Sequence, residues 1–458
     1  NAIVKGYKVG LMAEGIDSLK ITNSNFSYNY RQRLKSNPDM EDLSDWLSYH
    51  HNENDEWLRY GAAIYLKACD HAMVRDVLVT GGQNGLLLVQ CNEGLFYNNR
   101  FHYNSGLGLG MYRSSRNRIM HNKMDWCIRG YSHGVYNRGQ DSAGILAYEL
   151  SNENVFAFNS ATHGGDGFFL WAGQTFMDTG TGACIDNLVY GNDFSHASNN
   201  GVEITFSKNK IINNRLEDCH YGVWGGYSYE SIIAGNSFKN NTHDVAFEHG
   251  NNNVIYANRM EGSEVGVQLW ERPVQPKSWG FVNKRDIQSR EYTIDNNLFV
   301  KVKTPLKIEN TADVKLRENQ FFGFQKLLKV GAENENFTFV KNQIYQNDLF
   351  GDAYPYRNDN AIMNGQKYQE MNPTDFVKEY EVTALPDGMK TDLSETTLRG
   401  RKYMLITEWG PYNFEYPTIW LRRIDGDQYT FALFGPQGNW KAMGGSGFSS
   451  LSLKTGSL

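Results

Sequence analysis

At 458 residues the chain exceeds one ordinary core, and two or three domains are the expectation. Its 27 Tyr and 25 Phe exclude a disordered chain, no apolar run is long enough for a transmembrane helix, and a net charge of −6 with scattered Lys and Arg argues against a nucleic-acid groove. The 45 Gly, only 10 Pro and abundant Asn point to turns and short strands.

The chain opens on NAIVKGYKVG, which reads as the middle of a repeat, so it is taken as a mature or truncated segment whose lack of a leader says nothing about compartment. Residues 31–60, with DWLSYHHNENDEW, form an acidic and aromatic insertion. From there one Asn recurs at Asn99, Asn122, Asn159, Asn192, Asn214, Asn236, Asn258, Asn297, Asn319 and Asn342, several gaps being 22 or 23 residues. It sits in segments such as NVFAFNSA at 154–161 and NLVYGNDF at 187–194. About eight residues after each Asn comes a second column: GLLLVQ at 85–90, GLGLGM at 106–111, GILAYE at 144–149, GFFLWA at 167–172, GVEITF at 201–206, GVWGGY at 222–227, DVAFEH at 244–249 and GVQLWE at 266–271. Positions one and three after the Gly are mostly apolar, a period of two that marks a strand with one buried face.

Two or three short strands per 22 residues make one coil of a parallel β-helix, which buries its apolar face only when coils stack. Asn suits its turns, because it tolerates a left-handed backbone, and stacked Asn amides can bond from coil to coil. Residues 131–143, 172–186 and 272–290 interrupt the coils as loops that either line a binding face or cover an edge. The Asn column ends near Asn342. Residues 348–380 read as a connector with a short helix, and 381–458 as a small antiparallel β domain containing KYMLITEW, TIWLRRI and QYTFALF. In that domain Trp409, Trp420 and Trp440 are candidates for a sugar-binding strip, with core packing the better explanation for at least two of them. The five cysteines include no CxxC pair, so no structural zinc is expected and at least one thiol is unpaired.

Over about residues 1–347 the pattern resembles the right-handed parallel β-helix repeat proteins of the pectate-lyase-like superfamily. The resemblance implies an all-β fold, a right-handed solenoid of about 22-residue coils. It further implies a secreted, periplasmic or cell-surface setting. Most relatives act on carbohydrates, as polysaccharide lyases, polygalacturonases or other glycoside hydrolases, so a glycan is the expected partner; surface-assembly partners are also possible for such a fold.

Residues in equivalent slots of successive coils form ladders. The second slot after the Gly reads Arg129, Leu146, Phe169, Glu203, Trp224, Ala246 and Gln268; the fourth reads Tyr131, Tyr148, Trp171, Thr205, Gly226, Glu248 and Trp270. Both should face outward, giving a strip of carboxylates and large rings that suits a sugar. Asp166, beside a Gly pair, lies about 11 Å from Glu203 between backbones on an ideal lattice, and Glu203 and Glu248 are about 11–12 Å apart. Either pair could reach the roughly 6.5–9.5 Å of an inverting glycosidase; the roughly 5–5.5 Å of a retaining one is harder.

The candidate catalytic residues are therefore Asp166, Glu203 and Glu248, each of which also has a plain reading as a turn former or solvated side chain. Trp171, Trp224, Tyr227 and Trp270 are candidates to hold sugar rings. Arg129 and Arg138, in a set with Asp141, are candidates to bind an acidic group, and His163 and His249 to bind substrate or, with His133, to carry a proton. No Asp cluster for calcium and no Lys in the aligned slots favours a lyase, so a hydrolase without a metal or cofactor is the first expectation. A lyase and a non-catalytic binding or structural β-helix are the alternatives.

Overall fold

A computed structural model describes residues 1–29, 61–127, 142–345 apart from 274, 276, 332 and 333, and most of 418–457. Three parallel sheets run the length of the stack. The first has twelve strands, from Leu11–Glu14 to Leu328–Val330, and the second has twelve, from Lys20–Thr22 to Thr338–Val340. The third has six strands, from Arg215–Glu217 to Gln343–Tyr345. Single bridges extend this third face back through Asp193, Ser160 and Lys123 to Arg100. Each strand pairs with its counterpart one coil on, as Tyr221 pairs with His243 and His243 with Val265. Near the end, Thr418–Asp425 pairs antiparallel with Gln428–Phe434, and Asn439–Lys441 with Thr455–Ser457. Trp440 packs across the second pair onto Gly456. The side chain of Trp420 and the whole of Trp409 lie outside the described residues, as does the helix expected in 348–380.

Alternation fills the inside. Ile119, Phe156, Val189, Ile211, Ile233 and Ile255 succeed one another in the second sheet and join one core that runs from Ala13 to Ile344. All five cysteines are free, buried residues.

The ten ladder Asn residues are joined by nine amide bonds of 2.9–3.0 Å, each Nδ2 donating to the Oδ1 of the next coil. The backbone explanation given above for Asn is corrected here. The left-handed residue is the one before each ladder Asn, for example His121 (φ 53°), Phe158 (φ 56°) and Ala257 (φ 51°). The Asn is selected for its amide, which meets buried backbone groups no apolar side chain could satisfy. A second ladder, unnoticed in the sequence, joins Asn117, Asn154, Asn187 and Asn209 at 3.0–3.1 Å.

Two insertions meet at one corner. They carry helix α1 (Gln174–Thr179) and helix α2 (Gly280–Lys284), which pack together through Phe176 and Phe281, ring centroids 5.2 Å apart. These insertions cover an edge of the stack. Residues 31–60 and 131–141 lie outside the described residues.

Candidate functional site

The first sheet carries the expected ladders. Leu146, Phe169, Glu203, Trp224, Ala246 and Gln268 are consecutive partners in one column. Tyr148, Trp171 and Thr205 are partners in the other, as are Glu248 and Trp270. Two assignments change. The coil before Leu146 is Leu109–Tyr112, so Gly110 and Tyr112 hold the slots given above to Arg129 and Tyr131. Within that coil Gly108, not Gly106, aligns with Gly144. The two-residue shift preserves which face each side chain takes. Arg129, Arg138, Asp141 and His133 lie outside the described residues. The second-slot column also continues past the 272–290 insertion to Lys307 and Lys329, so lysines do enter it.

A third outward column stands one residue before the Gly: Asp166, then Asn200, Tyr221 and His243. The sequence reading took only Asp166 from it. The repeated placement of polar and aromatic residues ahead of Gly167, Gly201 and Gly222 was the available signal.

Asp166 and Glu203 meet through Asn200. The Asn200 backbone N–H donates to Asp166 Oδ1 at 2.7 Å, and its Nδ2 lies 3.5 Å from Asp166 Oδ2 and 2.7 Å from Glu203 Oε2. Those two contacts to one nitrogen bound the separation of the carboxylate oxygens at their sum, about 6.2 Å. That lies below the roughly 6.5 Å edge of the inverting range, closer than the backbone lattice suggested. Thr205 Oγ1 donates to Glu203 Oε1 at 2.6 Å. Asp166 is fully buried, whereas Glu203 is half-buried and reaches the outer face. Burial pushes both carboxyls above their usual range, and for Glu203 the neighbouring Asp166 charge pushes further. The pair therefore favours one shared negative charge over two.

Glu248 is 5% exposed and already engaged. Trp270 Nε1 donates to its Oε1 at 3.1 Å, and the Arg272 guanidinium binds both its oxygens. Trp224 and Trp270, both half-buried, bring their rings to 5.5 Å over the intervening coil, in which Ala246 pairs with Trp224 and Glu248 with Trp270. Tyr221 lies 4.9 Å from both the Trp224 and His243 rings. Burial lowers His243 to about 4, so the imidazole is neutral at pH 7.

The remaining candidates sit elsewhere. Trp171 is in its expected column but is 8% exposed. Tyr227 and His249 stack at 4.8 Å in the corner covered by the two insertions, with Phe206 at 4.7 Å from Tyr227. His249 is held there by the Ile287 carbonyl at 2.8 Å and the Arg272 backbone N–H at 2.9 Å. His163 is buried at another corner between Trp126 (4.2 Å) and His196 (4.6 Å). All three occupy left-handed corner positions, φ 56–59°, where side chains stack from coil to coil.

A family described as "Right handed beta helix region" matches residues 62–176. The chain is a right-handed parallel β-helix. A second family, described as "Periplasmic copper-binding protein (NosD)", matches residues 186–275. Among the described residues no group of three or more His, Cys, Asp or Glu side chains is placed to hold a metal ion. No curated protein matches the chain. Among solved structures it is similar to the Dettilon tailspike protein, at 13% identity and TM-score 0.36, covering 65% of this chain and 58% of that one. It is also similar to the A-module of an Azotobacter vinelandii mannuronan C-5 epimerase, at 13% identity and TM-score 0.39, covering 73% and 79%. The catalytic domain of an α-1,3-glucanase matches at 11% identity and TM-score 0.41, covering 74% and 62%. The chain thus spans less than two thirds of the tailspike and glucanase chains.

Proposed function

We propose that the outer face of the first sheet binds a glycan and that Glu203 cleaves it as a general acid, in a protein working outside the cytoplasm. The observation that carries this reading is a half-buried carboxyl beside Trp224 that shares Asn200 with a buried second carboxyl. Burial and, when it is ionised, the Asp166 charge behind it hold the proton on Glu203, the direction an acid catalyst needs. Asp166 is too enclosed to reach an anomeric carbon and acts as a positioning residue. Glu203 gives its proton to the glycosidic oxygen as the carbon–oxygen bond breaks, the electron pair leaving with that oxygen. As a carboxylate it then takes a proton from the water that adds to the sugar cation. Trp224 and Trp270 offer ring faces for stacking.

Uronate elimination is the second reading, favoured by the Asn200–Tyr221–His243 column and by the lysines beyond Gln268. A polysaccharide panel with product masses separates the two: hydrolysis adds a water, and elimination leaves an unsaturated uronide. The site reading requires Glu203→Gln to lower turnover by at least about 10²-fold while leaving binding intact. Retained turnover would sink it, and binding without any cleavage across the panel would favour a non-catalytic module.

A further inference from the structure

The three outward columns change character at the coil of Glu203. In the two coils before it they are closed: Leu146 and Phe169 in the second-slot column, Tyr148 and Trp171 in the fourth, and Ala143 and Asp166 ahead of the Gly are all buried. After it they open. Trp224, Gln268 and Lys307 are half-buried, Lys329 is exposed, and Tyr221 and His243 are half-buried alongside them. Glu203 therefore stands where two closed coils give way to a surface that opens toward the C-terminal coils, and those two coils make a blind end.

We infer that this protein acts on the end of its glycan, an acidic chain that lies along the stacking axis and extends from Glu203 toward Lys307 and Lys329. This rests on the reading of Glu203 as the acid. Successive coils advance about 4.8 Å, close to the length of one sugar in an extended polysaccharide, so one coil can serve one sugar. Lys307 lies four coils beyond Glu203, about 19 Å away, and Lys329 one coil further. Lys307 Nζ is only loosely paired, 3.9 Å from Glu309 Oε1, and can turn to a substrate carboxylate or sulfate. On the closed side the buried Phe169 and Leu146 occupy the places where further sugars would lie.

The test is the product distribution early in digestion of an acidic polysaccharide, with Lys307→Ala assayed on acidic oligosaccharides of graded length. End-acting cleavage releases one small product from the start while solution viscosity falls slowly. Lys307→Ala should lower kcat/KM about tenfold for chains of five or more sugars, leave dimers and trimers unchanged, and lose its effect in high salt. A broad ladder of long products with fast viscosity loss would overturn the inference, as would equal effects of Lys307→Ala on short and long chains. If Glu203→Gln is inactive and the products are nevertheless long, the acid stands and the blind end falls. If Glu203→Gln remains active, the reading of the acid itself fails.

Discussion

Asp166 and Glu203, one coil apart, are bridged by a single side-chain amide, that of Asn200. Both carboxyls are raised, so the folded state holds protons that the unfolded chain would release. A carboxyl raised on folding adds stability below its unfolded pKa, and that contribution is lost as pH rises through the folded value. Activity should follow the same direction: kcat is highest where Glu203 is protonated and falls on the alkaline side. Glu203→Gln should lower kcat by about 10²–10⁴-fold. Asp166→Asn should leave turnover measurable but move the alkaline limb toward lower pH, since it removes the charge that holds the proton on Glu203. A pH–rate profile checks both.

Asp244 gives a separate stability test away from the acid pair. It is fully buried, Asn241 Nδ2 and Ser263 Oγ donate to its Oδ1 at 2.9 and 2.6 Å, and burial pushes it to about 8. Unfolding of the native protein should therefore become easier from about pH 4 upward through pH 8. Asp244→Asn should flatten that slope and be the more stable form at pH 9, by more than about 1 kcal/mol. Urea unfolding at several pH values measures it.

The ladder separates the amide from the turn. Asn214→Ala removes bonds to Asn192, Asn236 and the Val189 carbonyl and leaves their buried groups unpaired, a cost of about 2–5 kcal/mol. The preceding Asn213 is exposed with φ 57°. Asn213→Gly should be near neutral, and Asn213→Ala should cost about 1 kcal/mol. Denaturant midpoints for the three variants decide whether the amide or the backbone is under selection.

The tryptophan pair spans a coil in which the small Ala246 is the register partner of Trp224. Ala246→Leu would place extra carbon atoms beside Trp224, one coil from both rings, and should weaken glycan binding by about tenfold. Intrinsic tryptophan fluorescence reports the altered pair, and a melting curve distinguishes this from loss of fold.

Register made most of this fold legible in advance. Ten Asn residues at coil spacing and a period-two column after each Gly define the stack, because a solenoid repeats its contacts as its sequence repeats. The outward ladder from Leu146 to Gln268 follows from the same arithmetic. Tyr227, His249 and His163 were harder to place. They sit where the strand alternation ends at a left-handed corner, so a period of two says nothing about their direction. Arg272 was missed as the partner of Glu248 because it enters from an insertion, outside any column. Asn200 was missed because its role depends on two carboxyls from different coils, a relation that no single segment displays.

The glycine that stands second in several strands of the first sheet constrains how such a chain can change. At Gly222 a Cβ would lie 2.5 Å from the Asp244 carbonyl oxygen and 2.6 Å from Phe238 Cδ1. Neighbouring turns therefore fit one another at fixed points, and losing or gaining a residue within a strand breaks the fit with both neighbours, whereas insertions between strands leave it intact. Adding or removing a complete turn preserves it. The quantum of variation in this molecule is one full circuit of the chain, and the length of its outer face can be adjusted only in steps of that size.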